Sequence, residues 1–106
     1  MNDKSSISNA FQMFSKEAPA HQEAWMQAVK GLGAASKLDS RTEALAYIAV
    51  LAVARLESGL PFHVKQAKAL GVSREEIISA VLLGLPAVGN TVVQSLPAAL
   101  AAYDEE

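Results

Sequence analysis

Five side chains in the middle of the sequence have types suited to acid–base or anion chemistry: Tyr47, Arg55, Glu57, Lys65 and, above all, His63. Histidine titrates near neutrality, so it can take or give a proton at ordinary pH. His63 follows Gly59-Leu60-Pro61, a helix break, and falls in the first turn of the helix that starts there. The positive end of a helix dipole disfavours an imidazolium, which predicts a lowered pKa and a neutral ring able to act as base or hydrogen-bond donor. The plainer alternative is a packed histidine with a structural hydrogen bond. Glu57 can meet His63 across the bend, or stand as a solvated carboxylate at a helix end. Arg55 and Lys65 offer fixed cations for a ligand carboxylate, and each equally suits a solvated surface. Tyr47 lies within an apolar helix, where its hydroxyl needs a partner: a pocket or, more simply, a structural hydrogen bond.

Helices must position these groups. Ala and Leu dominate and aromatic residues make up only 6% of the 106 residues, a balance that favours helix over strand. Residues 1–6 read as a frayed tail. Ile7, Ala10, Phe11 and Phe14 trace one face of a helix ending near Glu17, and Pro19 opens the next. That second helix carries Ala24, Trp25, Ala28, Val29 and Leu32 on one stripe, with Gly31 and Gly33 expected to stop it. His21, in its first turn, reads as a solvated histidine without a role. Ser40-Arg41-Thr42-Glu43 has the form of a capping box opening a helix to about Ser58. No charge occurs from Ala44 to Ala54, so this helix is expected to be buried all round, as the central core element.

Pro61 to Leu70 makes a short amphipathic helix with Gly71 as its stop, and Ser73-Arg74-Glu75-Glu76 is a second capping box. Gly84, Pro86 and Gly89 are expected to break or bend the helix that this box opens, and Pro97 to kink or restart the last helix. From Ile77 to Tyr103 no side chain is charged. A membrane hairpin is disfavoured by the prolines, glycines and polar residues that interrupt any clean apolar span. So much apolar surface in so short a chain instead predicts a subunit interface and a homo-oligomer.

Several classes are excluded or set aside. There is no cysteine, so the chain has no disulfide, thiolate metal site or thiol redox chemistry of its own. Two distant histidines, His21 and His63, do not form a metal-ligand cluster, and no metal or cofactor is expected. Nine basic and eleven acidic residues are spread along the chain, without the basic patch that nucleic acid requires. No glycine-rich phosphate loop or serine nucleophile motif is present. The polar start shows no signal peptide, which makes the cytoplasm the expected compartment.

Three stretches carry a resemblance: Leu38-Asp39-Ser40-Arg41-Thr42-Glu43-Ala44-Leu45, Phe62-His63-Val64-Lys65-Gln66-Ala67 and Gly71-Val72-Ser73-Arg74-Glu75-Glu76-Ile77. Together with the uncharged helix they resemble the carboxymuconolactone decarboxylase family, which shares its all-α fold with alkyl hydroperoxide reductase D. The resemblance covers about Phe11 to Tyr103. It implies one domain over residues 1–106, a bundle of about six helices, and assembly into trimers or hexamers. The peroxidase branch places a C-x-x-C pair before the histidine and a glutamate before the pair. The matching positions here are Leu56, Gly59 and Ala44, so these redox groups are missing and thiol peroxidase activity is not expected. Glu43, next to the last of them, points about 100° away on a helix and is a poor substitute.

The decarboxylase branch also lacks the thiols and keeps the histidine. By that resemblance the chain is a cofactor-free lyase or isomerase acting on a small carboxylate or lactone acid through His63. The competing reading is a non-catalytic oligomeric binding or scaffold protein on the same fold.

Overall fold

The computed structural model describes residues 6–106, and all regular structure among them is helical. The tail expected over residues 1–6 lies outside the described residues except for Ser6, which is buried. The chain divides into two compact units, Met1–Leu38 and Asp39–Glu106.

The first unit holds α1 (Asn9–Glu17) and α2 (Pro19–Ala35). Ser8 caps α1 by accepting the Phe11 amide at 3.1 Å. Phe11 and Phe14 stack edge-to-face on one side of it, their centroids 5.8 Å apart. Pro19 opens α2 in its first turn, as read from the sequence. Gly31 and Gly33 do not stop α2, which runs through both to Ala35. A glycine costs a helix only about 1 kcal/mol relative to alanine, and the good helix formers around these two outweigh that. Neither helix has a buried residue, and the apolar stripe of α2 is open, with Trp25 55% and Leu32 70% exposed.

The second unit begins with α3 (Ser40–Val53). Its cap is Asp39 rather than Ser40: the Asp39 carboxylate accepts the Thr42 amide at 2.8 Å and the Thr42 hydroxyl at 3.1 Å. A carboxylate makes both bonds at once and outcompetes the neighbouring hydroxyl. α3 ends at Val53, and Arg55, two residues on, has a left-handed φ of 60°; the Arg55 amide returns to Ala52 O and the Leu56 amide to Leu51 O. A 3₁₀ turn, Glu57–Gly59, leads into α4 (Leu60–Ala69), which Gly71 ends at φ 88°. The Ser73–Glu76 capping box forms as expected and starts α5 (Arg74–Val81).

The stretch from Arg74 to Asp104 is long and apolar enough to cross a membrane. It is not one rod. After α5 come a 3₁₀ turn (Leu82–Gly84), α6 (Leu85–Val88), a second 3₁₀ segment (Gly89–Ser95) and α7 (Leu96–Asp104). The glycines and Pro86 break it, Pro97 restarts it in the first turn of α7, and α7 packs back on α4 and α5. Ile48, Leu51, Leu60, Val64, Ile77, Val81 and Val92 form the core between these helices. Polar contacts fasten the end of α7. Tyr103 donates to Val72 O at 2.8 Å, Lys68 donates to Tyr103 O at 2.7 Å, and Arg74 grips Asp104 with two bonds. Cations at the carbonyl end of a helix also oppose its dipole.

α3 departs from expectation on its outer side. Ile48, Ala49, Leu51 and Ala52 are buried, but Tyr47, Val50 and Val53 are 46%, 59% and 39% exposed. At 100° per residue the buried positions span one arc and the exposed ones the opposite arc. The second unit fills one side of this helix and leaves an equally apolar stripe open.

Candidate functional site

His63 lies in the first turn of α4, two residues after Pro61, half-buried. Its ring is 4.5 Å from that of Tyr47 on α3, centroid to centroid and inclined 49°, and Phe62 meets it edge-on at 5.1 Å. Burial holds the imidazole below its ordinary pKa, and a hydrogen bond with the Gln66 side chain, on the same helix, pulls the other way. The direction is the one expected from the helix dipole; desolvation is its cause. The ring is therefore neutral at pH 7, with one N–H donor and one acceptor nitrogen, and the Gln66 side chain hydrogen-bonds to it.

Glu57 does not stand across the bend from His63 as a paired acid. Its carboxylate takes the Arg55 Nε–H at 2.6 Å, while Arg55 Nη1 donates to Thr91 Oγ1 at 3.2 Å. Lys65 is likewise engaged, in an ion pair with Glu105 beyond the end of α7. Both cations expected to meet a ligand carboxylate thus already face carboxylates of the chain. Exposed pairs of this kind contribute only about 0–1 kcal/mol, so an incoming carboxylate can replace them. Tyr47 is 46% exposed, so it is not the fully buried tyrosine expected from the sequence.

The positions matching the absent redox set are also in place. Ala44 packs on the core, Leu56 is 54% exposed, and Gly59 lies over the Leu51 side chain. Sequence reasoning gives no role to Phe62, Gln66 or Thr91. The first two are legible as the neighbours of His63 on its own helix. Thr91 is not, because only the folded chain brings it to Arg55.

Two surface depressions stand out, and both lie in the first unit. One runs along α1; the other is lined by Phe14, His21, Ala24 and Trp25. Neither includes His63. Among the described residues no group of three or more His, Asp and Glu side chains is placed to hold a metal ion.

The sequence profile of the carboxymuconolactone decarboxylase family matches residues 19–104, from the start of α2 to the end of α7. The chain belongs to this family. No curated protein sequence and no solved structure matches it. As a carboxymuconolactone decarboxylase family member it is all-helical, and it lacks cysteine altogether. Thiol chemistry by its own residues is thereby closed to it.

Proposed function

We propose that this chain binds a small carboxylate or lactone acid beside His63 and acts on it as a cofactor-free lyase or isomerase. The observation that carries the reading is the half-buried, neutral imidazole held against Tyr47 on a decarboxylase-family fold. In an isomerisation, the unprotonated ring nitrogen takes a proton from the carbon next to the lactone carbonyl. The same ring then returns it to the far carbon of the enolate. In a decarboxylation, the bond to the carboxylate breaks, carbon dioxide leaves, and the electron pair enters the lactone enolate. The imidazole N–H then stabilises the enolate oxygen while water protonates carbon. Arg55 or Lys65 receives the ligand carboxylate in place of Glu57 or Glu105.

Thermal shift with a series of unsaturated lactone acids tests this, comparing the native chain with His63→Ala. A shift in the native chain that His63→Ala abolishes is expected. Equal shifts in both would remove His63 from binding.

A second reading, a non-catalytic oligomeric binding or scaffold protein, is favoured by one observation. Both candidate cations are satisfied within the chain. It predicts binding of partners without turnover of any lactone acid. On either reading the chain is cytoplasmic and acts as a homo-oligomer, a trimer or hexamer. The open apolar stripes of α2 and α3 support assembly, and a light-scattering mass near the 11.2 kDa of one chain would exclude it.

A further inference from the structure

Among the described residues, Arg55 alone has a positive φ without being glycine. Its place at the helix end suits glycine, and a side chain there is strained. The exposed pair with Glu57 returns no more than that strain takes, so stability alone does not account for an arginine here. Strain held in this way points to function. The guanidinium is fixed on one side and incompletely used on the other. Nη1 donates to Thr91 Oγ1 at 3.2 Å, and Nε to one oxygen of Glu57 at 2.6 Å. Nη2, on the same edge as Nε, has no partner among the described residues. Arg74 shows full use of that edge, with Nε and Nη2 on the two oxygens of Asp104 at 2.9 and 3.0 Å. We infer that Arg55, held by Thr91, is a binding site for the carboxylate of a small acid, which Glu57 fills as an internal competitor.

Geometry favours a carboxylate from outside the chain. Glu57 stands two residues from Arg55, tethered by the 3₁₀ turn it opens, and meets the fork with one oxygen. An untethered carboxylate can take Nε and Nη2 together, which is the stronger, bidentate arrangement. The resident group is itself a carboxylate, so the edge already accepts that chemistry. The Arg55 and Glu57 side chains are 42% and 33% exposed, which leaves the exchange open to solvent. Thr91 acts as a positioning residue: by holding Nη1 it fixes the plane of the guanidinium and keeps the other edge turned outward. Lys65 is the poorer receiver of the two cations, because an ammonium is a point charge without a fork and its own side chain is only 25% exposed.

This deepens the proposed reading, on whose small-acid ligand it rests, but makes no use of His63. The probe is 2-furoate at fixed ionic strength, with methyl 2-furoate as the uncharged control and inorganic phosphate as a tetrahedral anion. Binding is followed through the NMR shift of the Leu56 backbone amide. Glu57→Gln is expected to tighten furoate binding about fivefold, and Arg55→Lys to weaken it about fivefold although the charge is kept. Thr91→Val should weaken it about threefold, with Thr91→Ser matching the native chain. Glu105→Gln makes the same change of charge beside Lys65 and should leave the affinity at Arg55 unchanged. Equal affinity in the native chain and Glu57→Gln, or an equal gain in Glu105→Gln, overturns the inference. Binding of the ester as tight as that of furoate, or tighter binding of phosphate, overturns it too. Furoate binding that is lost in His63→Ala and indifferent to Arg55 and Glu57 overturns this site and leaves the His63 reading standing. Binding that depends on Arg55 and Glu57 and not on His63 supports this site and removes His63 from binding.

Discussion

Arg55 and Gly71 hold the same place in two helix endings of one design. Each is left-handed, and each donates its amide three residues back while the next amide reaches five residues back. Gly71 is the ordinary occupant of such a position, and a side chain there carries a conformational penalty of about 1 kcal/mol. Arg55 bears that penalty while its guanidinium joins Glu57 to Thr91. Comparing Arg55→Gly with Arg55→Ala separates the two effects, since both lose the side-chain bonds and only glycine relieves the backbone. The glycine variant is expected to be more stable than the alanine variant by about 1 kcal/mol in urea unfolding. Gly71→Ala should lose a similar amount, because nothing lies within 4 Å of its added Cβ. Equal stability of the two Arg55 variants would show that the left-handed turn is not strained.

Gly84 makes a different prediction, set by space rather than by backbone angle. A methyl group added there meets the branched Val53 side chain at 2.5 Å, and a β-branched residue on a helix has little freedom to turn away. Gly84→Ala is expected to destabilise the chain by about 1–3 kcal/mol. In a Val53→Ala background most of that loss should vanish, giving a coupling of at least about 1 kcal/mol in a double-mutant cycle. Additive effects would mean that Gly84 is not in close contact with α3.

These two glycines also mark what the sequence can and cannot tell. Gly71, the Ser73–Glu76 box and Pro97 act locally, within one turn of the helix ends they set, so their roles are readable from spacing. The end of α2 is misplaced by spacing because two solvated glycines in a helix weigh less than their neighbours. The cap of α3 is misplaced because a carboxylate one residue earlier competes with Ser40. The surroundings of α3 lie further out of reach, since an uncharged sequence looks the same whether both of its sides are covered or only one. For the site, spacing places His63 and its helix break. It cannot show that Lys65 is taken by Glu105 or that Arg55 reaches Thr91, which depends on how remote segments pack.

The contact between His63 and Tyr47 predicts how the imidazole titrates. The ring is held below its ordinary pKa chiefly by burial, and Tyr47 packs against it at a centroid distance of 4.5 Å. Tyr47→Ala removes that contact and should raise the His63 pKa towards 6.5 in a histidine NMR titration. Tyr47→Phe keeps the contact and should leave it unchanged. If phenylalanine shifts the value as far as alanine does, the phenol hydroxyl rather than burial sets it.

Acidification should weaken the fold in two separable steps. The His63 pKa is lowered in the folded chain, so below 6.5 the unfolded chain binds the proton more readily. Its contribution is fully present above that pH and is lost as pH falls towards the folded value. Asp39, Glu76 and Asp104 are also held below their ordinary values of 3.8, 4.5 and 3.8. The causes are, in turn, the Thr42 amide, the Ser73 amide and the Arg74 guanidinium. Their contributions are present above those values and fade as pH falls through them. Urea-unfolding free energy, measured at fixed chain concentration, is therefore expected to fall gently from pH 6.5 downwards and more steeply below about pH 4.5. His63→Gln should abolish the first fall and keep the second, whereas Asp39→Asn or Glu76→Gln should soften only the second. An unchanged slope between pH 5.5 and 6.5 in His63→Gln would mean that the imidazole is not desolvated by folding, and the case for a neutral base at this position would fail with it.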